Sequence, residues 1–393
     1  MSAVKTVIGL LIIVFSQQVL WAQSTVYPVP YKWNDKYGFK NATTGEVVVQ
    51  AVYDRVYPYS EDRALVYRMG KGYFIDPTGT IKINLKADSV YSFTEGMAAY
   101  SSAGLWGYMN VFGITKVTPK YQHAYPFSEG MAVINKAGKY GFIDKAGKEI
   151  ILPQYEFAYE FSGSLAAVQK GGKWGYVNKE NKMVIPAQFE KAGNFYQGVA
   201  IISIGSKYGI INMSGQYVLP MEQDWVSVYS EGLARVKKDN KWGFVDIKGK
   251  IVVPVQYDWA ADYTNGVAKV KVNNKYGLLD KSGKWALNPD YTWIEDVSDD
   301  TTVMVIKNGY WGCIKTTGEQ IAPFKYKVDR PFSDEFAVIN MGGKYGYIDQ
   351  KGTLAIPFKF DYAYDFVSGW AEVVIDGKSF YIDRHGNCVK YCQ

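Results

Sequence analysis

The side chains able to do chemistry in this 393-residue chain are few in kind. There are 2 His and 3 Cys, too small a supply for a catalytic zinc site or a multi-histidine metal centre. His123 and His385 stand alone in aromatic or turn surroundings, and no reactive Ser or Cys shares a repeat position with them, so a nucleophilic triad has no support. Gly377-Lys378-Ser379 has the tail of a phosphate loop, but Glu372 stands where that loop needs its first Gly. Carboxylates are better supplied. Glu295-Asp296 and Asp299-Asp300 crowd the stretch 288–308, and two carboxylates flanking a cleft can hydrolyse a glycosidic bond. Lysines form the other column: Lys36, Lys71, Lys139, Lys173, Lys207, Lys241, Lys275, Lys344 and Lys378. A stripe of cations beside aromatic rings suits acidic glycans or peptides; the competing reading is a solvated hairpin edge on which Lys resists edge-to-edge pairing. Lys+Arg is 44 and Asp+Glu 38, a net +6, without the clustered excess of a nucleic-acid binder. No metal or cofactor is expected.

What positions these residues is a repeat. Nine aromatic-Gly pairs recur along the chain: Tyr37-Gly38, Trp106-Gly107, Tyr140-Gly141, Trp174-Gly175, Tyr208-Gly209, Trp242-Gly243, Tyr276-Gly277, Trp311-Gly312 and Tyr345-Gly346. Gly72-Tyr73 and Phe380-Tyr381 fill the remaining slots as degenerate copies. The spacing is 34 or 35 residues throughout, the signature of a repeat architecture. With no composition break, residues 23–393 read as a single array of about ten units.

Each unit carries the same grammar. MAVIN, KYGFID and EIIL, at residues 131–135, 139–144 and 149–152, read as three short antiparallel strands. The turn between the second and third is Asp-x-x-Gly, as at Asp144–Gly147 and Asp246–Gly249, which suits a type I turn with Gly at positive φ. A Pro column (Pro119, Pro153, Pro186, Pro220, Pro254, Pro323, Pro357) is expected to end the third strand, because Pro cannot extend a ladder. An Ala column in strand one (Ala98, Ala132, Ala166, Ala200, Ala234, Ala268, Ala337, Ala371) marks a face packed closely on a neighbour. Connector aromatics (Tyr121, Tyr125, Tyr155, Tyr159, Tyr257, Trp259, Tyr362, Tyr364) either fill the core between layers or stack on sugars.

The repeated block x-G-K-W/Y-G-F/Y-I/V-D-x-x-G-K-x-I/V-x-P resembles the WG-repeat (KWG repeat) family of bacteria over roughly residues 31–387. The resemblance implies a secreted or surface β-repeat protein with a binding role, and brings no catalytic residues. Departures are the Gly72-Tyr73 copy, the weak unit around 290–302, and Lys315 in place of the turn Asp. From Trp106 to Tyr345 the aromatic alternates strictly between Trp and Tyr, either because two slots have different environments or because a 68-residue pair was duplicated. The expected fold is all-β, an open β-solenoid or superhelix, with a closed propeller-like ring as the alternative.

Residues 1–22 read as a signal peptide: Lys5, the apolar run 7–15, and Ala22 before the cut. That places the mature chain in the periplasm, on the cell surface or outside, with no membrane span. There Cys388 and Cys392 either pair as a disulfide or remain two thiols on a frayed tail; Cys313 reads as a buried small apolar residue. The expected function is an exported, non-enzymatic repeat scaffold binding protein or glycan. The alternative is a carbohydrate-active enzyme with its carboxylate pair at 288–308.

Overall fold

The structure, a computed structural model, describes residues 26–297, 301–328, 332–350, 352–367 and 369–392. The segment 1–22 and the carboxylates Asp299 and Asp300 lie outside the described residues. Among the described residues there is no helix; the chain is a succession of antiparallel meanders. It divides into two compact units, Met1–Pro126 and Phe127–Gln393, a division that the unbroken sequence period does not announce.

The repeat at 157–189 shows the plan. Leu165–Lys170, Lys173–Val177 and Met183–Phe189 are the three expected strands. The connector adds a fourth, Phe157–Ser162, on the open edge of strand one. The sheet order follows the chain order, and nearly every other sheet is built the same way. The connector strand is usually only two residues, as at Trp225–Val226 and Trp259–Ala260, too short for sequence periodicity to mark it. In one place Gln320–Val328 serves both as a third strand and as the next connector, so two repeats fuse into one 7-stranded sheet. Among the described residues no sheet closes on itself.

The turn chemistry is as the residues dictate. Asp246 Oδ1 accepts the amides of Lys248 and Lys250, both at 2.9 Å, and Gly249 takes φ +81. Asn110, Asn178 and Asn212 do the same work in repeats without the Asp. Each sheet is too thin to bury a core alone, so neighbours complete one another. Ala200 and Ile202 of one repeat share a cluster with Tyr176 and Ile185 of the preceding one, and Ala234 and Val236 pack with Ile210 and Leu219.

One expectation fails. The Pro column does not end strand three: Pro153 lies inside Glu149–Tyr155, and Pro254 inside Ile251–Tyr257. The ladder tolerates it because strand three is bulged there. Tyr140 faces Tyr155 while Phe142 faces Ile151, so two residues on strand two oppose four on strand three. Pro sits in the bulge, where no ladder amide is needed.

Candidate functional site

The aromatic-Gly pair is placed by that bulge. Strand three crosses strand two so closely that a Cβ on Gly141 would lie 2.5 Å from the Ile151 carbonyl oxygen. On Gly243 it would lie 2.6 Å from that of Val253. Gly38, Gly107, Gly175, Gly209, Gly277 and Gly346 are confined by strand-three backbone too, and Gly312 by the Phe324 ring. The two degenerate copies explain themselves. Strand three is only Ile81–Asn84 opposite Tyr73, and only Cys388–Lys390 opposite Tyr381, with neither Pro nor the wide bulge. The pairing also corrects the register of the last copy. Val374 faces Ser379 and Val373 faces Phe380, as Asn340 faces Tyr345 and Ile339 faces Gly346. Ser379-Phe380, not Phe380-Tyr381, therefore occupies the aromatic-Gly slot.

Five of the nine lysines before the aromatic slot are held in ion pairs. Lys173 pairs with Glu190, Lys207 with Asp224, Lys241 with Asp258 and Lys344 with Asp361, at 3.3, 2.6, 2.5 and 2.5 Å. Lys36 pairs with Asp54 in the same way. The acid lies 17 residues on from the lysine in repeat after repeat, in the following connector. Its other oxygen accepts a backbone amide from the next hairpin: Asp224 from Asp239 at 2.8 Å, Asp258 from Asn273 at 2.8 Å, Asp361 from Asp376 at 2.6 Å. One carboxylate thus ties the hairpin behind it to the hairpin ahead. The lysine ammonium, then the backbone amide, hold the Asp224, Asp258 and Asp361 carboxyls below the usual range. Lys71, Lys139, Lys275 and Lys378 make no ion pair among the described residues. Glu156, the acid due to Lys139, instead caps Gly171 and Gly172, and Thr292 stands where Lys275 would need an acid.

A second fastener runs through the Ser-Glu before strand one. Ser128, Ser162, Ser230 and Ser333 each donate to a carbonyl 33 residues on, at 2.7, 2.5, 2.7 and 2.7 Å. Glu129 accepts the amides of Gly163 and Ser164, and Glu231 that of Gly266. Sequence reading missed both fasteners. Their signal was the period already in use: acids at 156, 190, 224 and 258 recur every 34 residues.

With five of the lysines so occupied, the connectors also present aromatic rings. Tyr121, Tyr155 and Tyr257 are buried core. Tyr159, Trp259, Trp293, Tyr362 and Tyr364 are exposed to between 38% and 45%. Tyr364 lies against Tyr362, and the other four lie against the slot aromatics. Tyr159 stacks on Trp174 at 5.0 Å and 12°, while Phe157 bridges Tyr140 and Trp174. Trp225 meets Trp242 at 5.5 Å, and Tyr276 lies between Trp259 and Trp293. Cations cover some faces: Arg235 lies over Trp225 and Trp242, and Lys271 over Tyr276, at 5.3 to 5.5 Å.

Of the carboxylates at 288–308, Glu295 and Asp296 line a hollow of about 310 Å³ together with Asp262, Thr264 and Lys269. Each of its carboxylates is engaged. The Arg235 guanidinium forks onto Asp262 at 2.6 and 3.0 Å. Lys269 Nζ reaches Asp296 at 3.2 Å, and Trp293 Nε1 donates to Glu295 at 2.9 Å. Cys388 and Cys392 are joined as a disulfide, and Cys313 is buried. His123 is exposed on its strand and His385 sits in the Asp383 turn. Among the described residues no group of three or more His, Cys, Asp or Glu converges for a metal ion, and no helix is long and apolar enough to cross a membrane.

Ten successive segments, 37–71, 74–106, 106–140, 140–174, 174–208, 208–242, 242–276, 276–311, 311–345 and 345–378, match the WG containing repeat. The chain belongs to the WG-repeat family. Curated proteins give no match. Solved structures with some likeness include a eukaryotic initiation factor at 13% identity and TM-score 0.36, covering 75% of this chain and 95% of that one. PorZ, a surface component of the type-IX secretion system of Porphyromonas gingivalis, is similar at 11% identity and TM-score 0.27, covering 78% of this chain. The chain spans only 52% of PorZ. Hsv2p of Kluyveromyces lactis is similar at 10% identity and TM-score 0.31, covering 65% of this chain and 98% of that one.

From residue 106 to residue 345 each matched segment begins and ends on the aromatic slot. Seen in that frame, the Trp/Tyr alternation does not follow burial. Trp106, Tyr140, Trp174, Tyr208, Trp242, Tyr276 and Tyr345 are all half-buried, and Trp311 alone among these is fully covered.

Proposed function

We propose that this WG-repeat chain is an exported, non-enzymatic scaffold that binds protein or glycan at the cell envelope or outside the cell. The observation that carries the reading is the half-exposed aromatic band of the connectors, interleaved with cations. Flat rings with a polar tip or edge supply contact area at low entropic cost, and repetition lets weak contacts add. The columns with the look of chemistry are in good part engaged otherwise: five of the nine lysines on connector acids, the turn acids on backbone amides. Export rests on the apolar N-terminal segment read from sequence.

The hollow at Asp262, Glu295 and Asp296 favours a second reading, an enzyme acting on carbohydrate. Its carboxylates are already bonded to Arg235, Trp293 and Lys269, which favours the scaffold. Glu295→Gln with Asp296→Asn separates the two. Under the scaffold reading the double variant binds as the wild type does, and neither releases reducing ends from a polysaccharide panel. Hydrolysis by the wild type, abolished in the variant, would establish the enzyme instead.

A further inference from the structure

The last repeat departs from its neighbours on one face. Strand pairing aligns Glu372 with Val338, Lys390 with Ile356 and Trp370 with Phe336. Val338 and Ile356 are core residues at 2% and 0% exposure. A carboxylate and an ammonium have thus replaced two apolar core side chains, and a larger amphipathic ring has replaced Phe. In the column of Glu372, Arg235 and Lys269 are met by Asp262 and Asp296; a charge with no such ion pair is tolerated where water or a polar ligand meets it. Glu372 and Lys390 do not stand on a flat surface. Tyr364, Asp365, Val367, Trp370, Glu372, Tyr381 and Lys390 line a hollow of about 490 Å³, a volume in the range of small-ligand sites.

The lining has a definite chemistry. Trp370 and Tyr364 are each nearly half exposed. The segment carrying Tyr364 is pinned by Tyr347 Oη, which donates to the Tyr364 carbonyl at 2.7 Å. Tyr381 Oη donates to Glu372 at 3.4 Å, which leaves the second carboxylate oxygen able to accept from a ligand. The hollow thus offers ring faces, the Glu372 acceptor and the Lys390 donor. One carboxylate beside one ammonium gives no excess of either sign to select an ionic ligand. Ring faces with acceptors at their edges fit a neutral pyranose, whose C–H face packs on an aromatic ring while its hydroxyls donate outward.

We infer that this hollow is a binding subsite for a neutral saccharide, with Trp370 and Tyr364 as stacking platforms and Glu372 as hydroxyl acceptor. The inference rests on the glycan form of the scaffold reading and localises it. The test is titration of the chain with neutral hexasaccharides of β-1,4-linked glucose, mannose and N-acetylglucosamine, read by Trp fluorescence and calorimetry. Wild type is expected to bind at least one. Trp370→Ala and Tyr364→Ala should each weaken that binding ten-fold or more, and Glu372→Gln several-fold, with far-UV circular dichroism and melting temperature unchanged. Phe112→Ala, at an exposed turn of an earlier repeat outside the aromatic band, should leave the affinity of this subsite intact. If the wild type binds and Trp370→Ala binds equally well, the subsite is wrong while the scaffold reading stands. If no hexasaccharide binds, the saccharide assignment falls and a protein ligand is left for the scaffold.

Discussion

A methyl group on Gly175 would meet the Ile185 carbonyl oxygen at 2.6 Å. The glycine of the WG pair is therefore required by the strand it faces, not by a turn of its own. Gly175→Ala should cost about 2–3 kcal/mol in urea unfolding, because a ladder carbonyl cannot step aside as a side chain can. Gly72→Ala is the control. A Cβ there meets Leu85 Cδ1 at 2.9 Å, the end of a flexible side chain, and the expected cost is under about 1 kcal/mol. Equal costs at the two positions would show that the bulged strand is not what selects glycine. Proline follows the same logic: its place in the bulge was hidden from a reading in which Pro can only stop a strand.

At the scale of the element, the lysine–acid clamp joins some repeats to the next, at Lys36, Lys173, Lys207, Lys241 and Lys344, and is missing from others. Thr292 and Lys327 stand where other connectors carry the acid, so the repeats on either side are held by packing without the clamp. Thr292→Asp should recreate the pair with Lys275 and raise the thermal midpoint, while Asp258→Asn should lower it; scanning calorimetry reads both. Ser230→Ala removes the donor to the Tyr263 carbonyl, held at 2.7 Å, and should cost about 1 kcal/mol. Strand count, hairpin positions and Asp turns were legible because each has a local residue signature: alternation, Gly-Lys hairpins, and Asp-x-x-Gly. The clamp was not, because Lys241 and Asp258 are 17 residues apart and belong to different strands. The connector strands were not, because Trp225–Val226 holds two residues and no period. Of the candidate site, the lysines and aromatics were identified as columns, but only their contacts separate a fastened lysine from an exposed ring.

For the whole molecule, stability is a sum of repeat and interface terms, and several interface terms share one titration. The Asp54, Asp224, Asp258 and Asp361 carboxyls are lowered, first by their lysines and then by backbone amides. A folded value below the unfolded one gives stabilisation that is complete above the usual Asp value of 3.8 and is lost as pH falls through the folded values. The melting temperature should therefore be flat at neutral pH and fall steeply in acid. Asp224→Asn with Asp258→Asn should flatten that fall. The central claim is that the polar columns of this WG array are fasteners between neighbouring repeats. Hydrogen exchange read by mass spectrometry, on wild type and on Asp258→Asn, tests it most directly. The account predicts faster exchange in the variant at the hairpins of Lys241 and Asn273, on both sides of the lost carboxylate, with distant repeats unchanged. Unchanged exchange at those hairpins, or acceleration spread evenly along the chain, would contradict it.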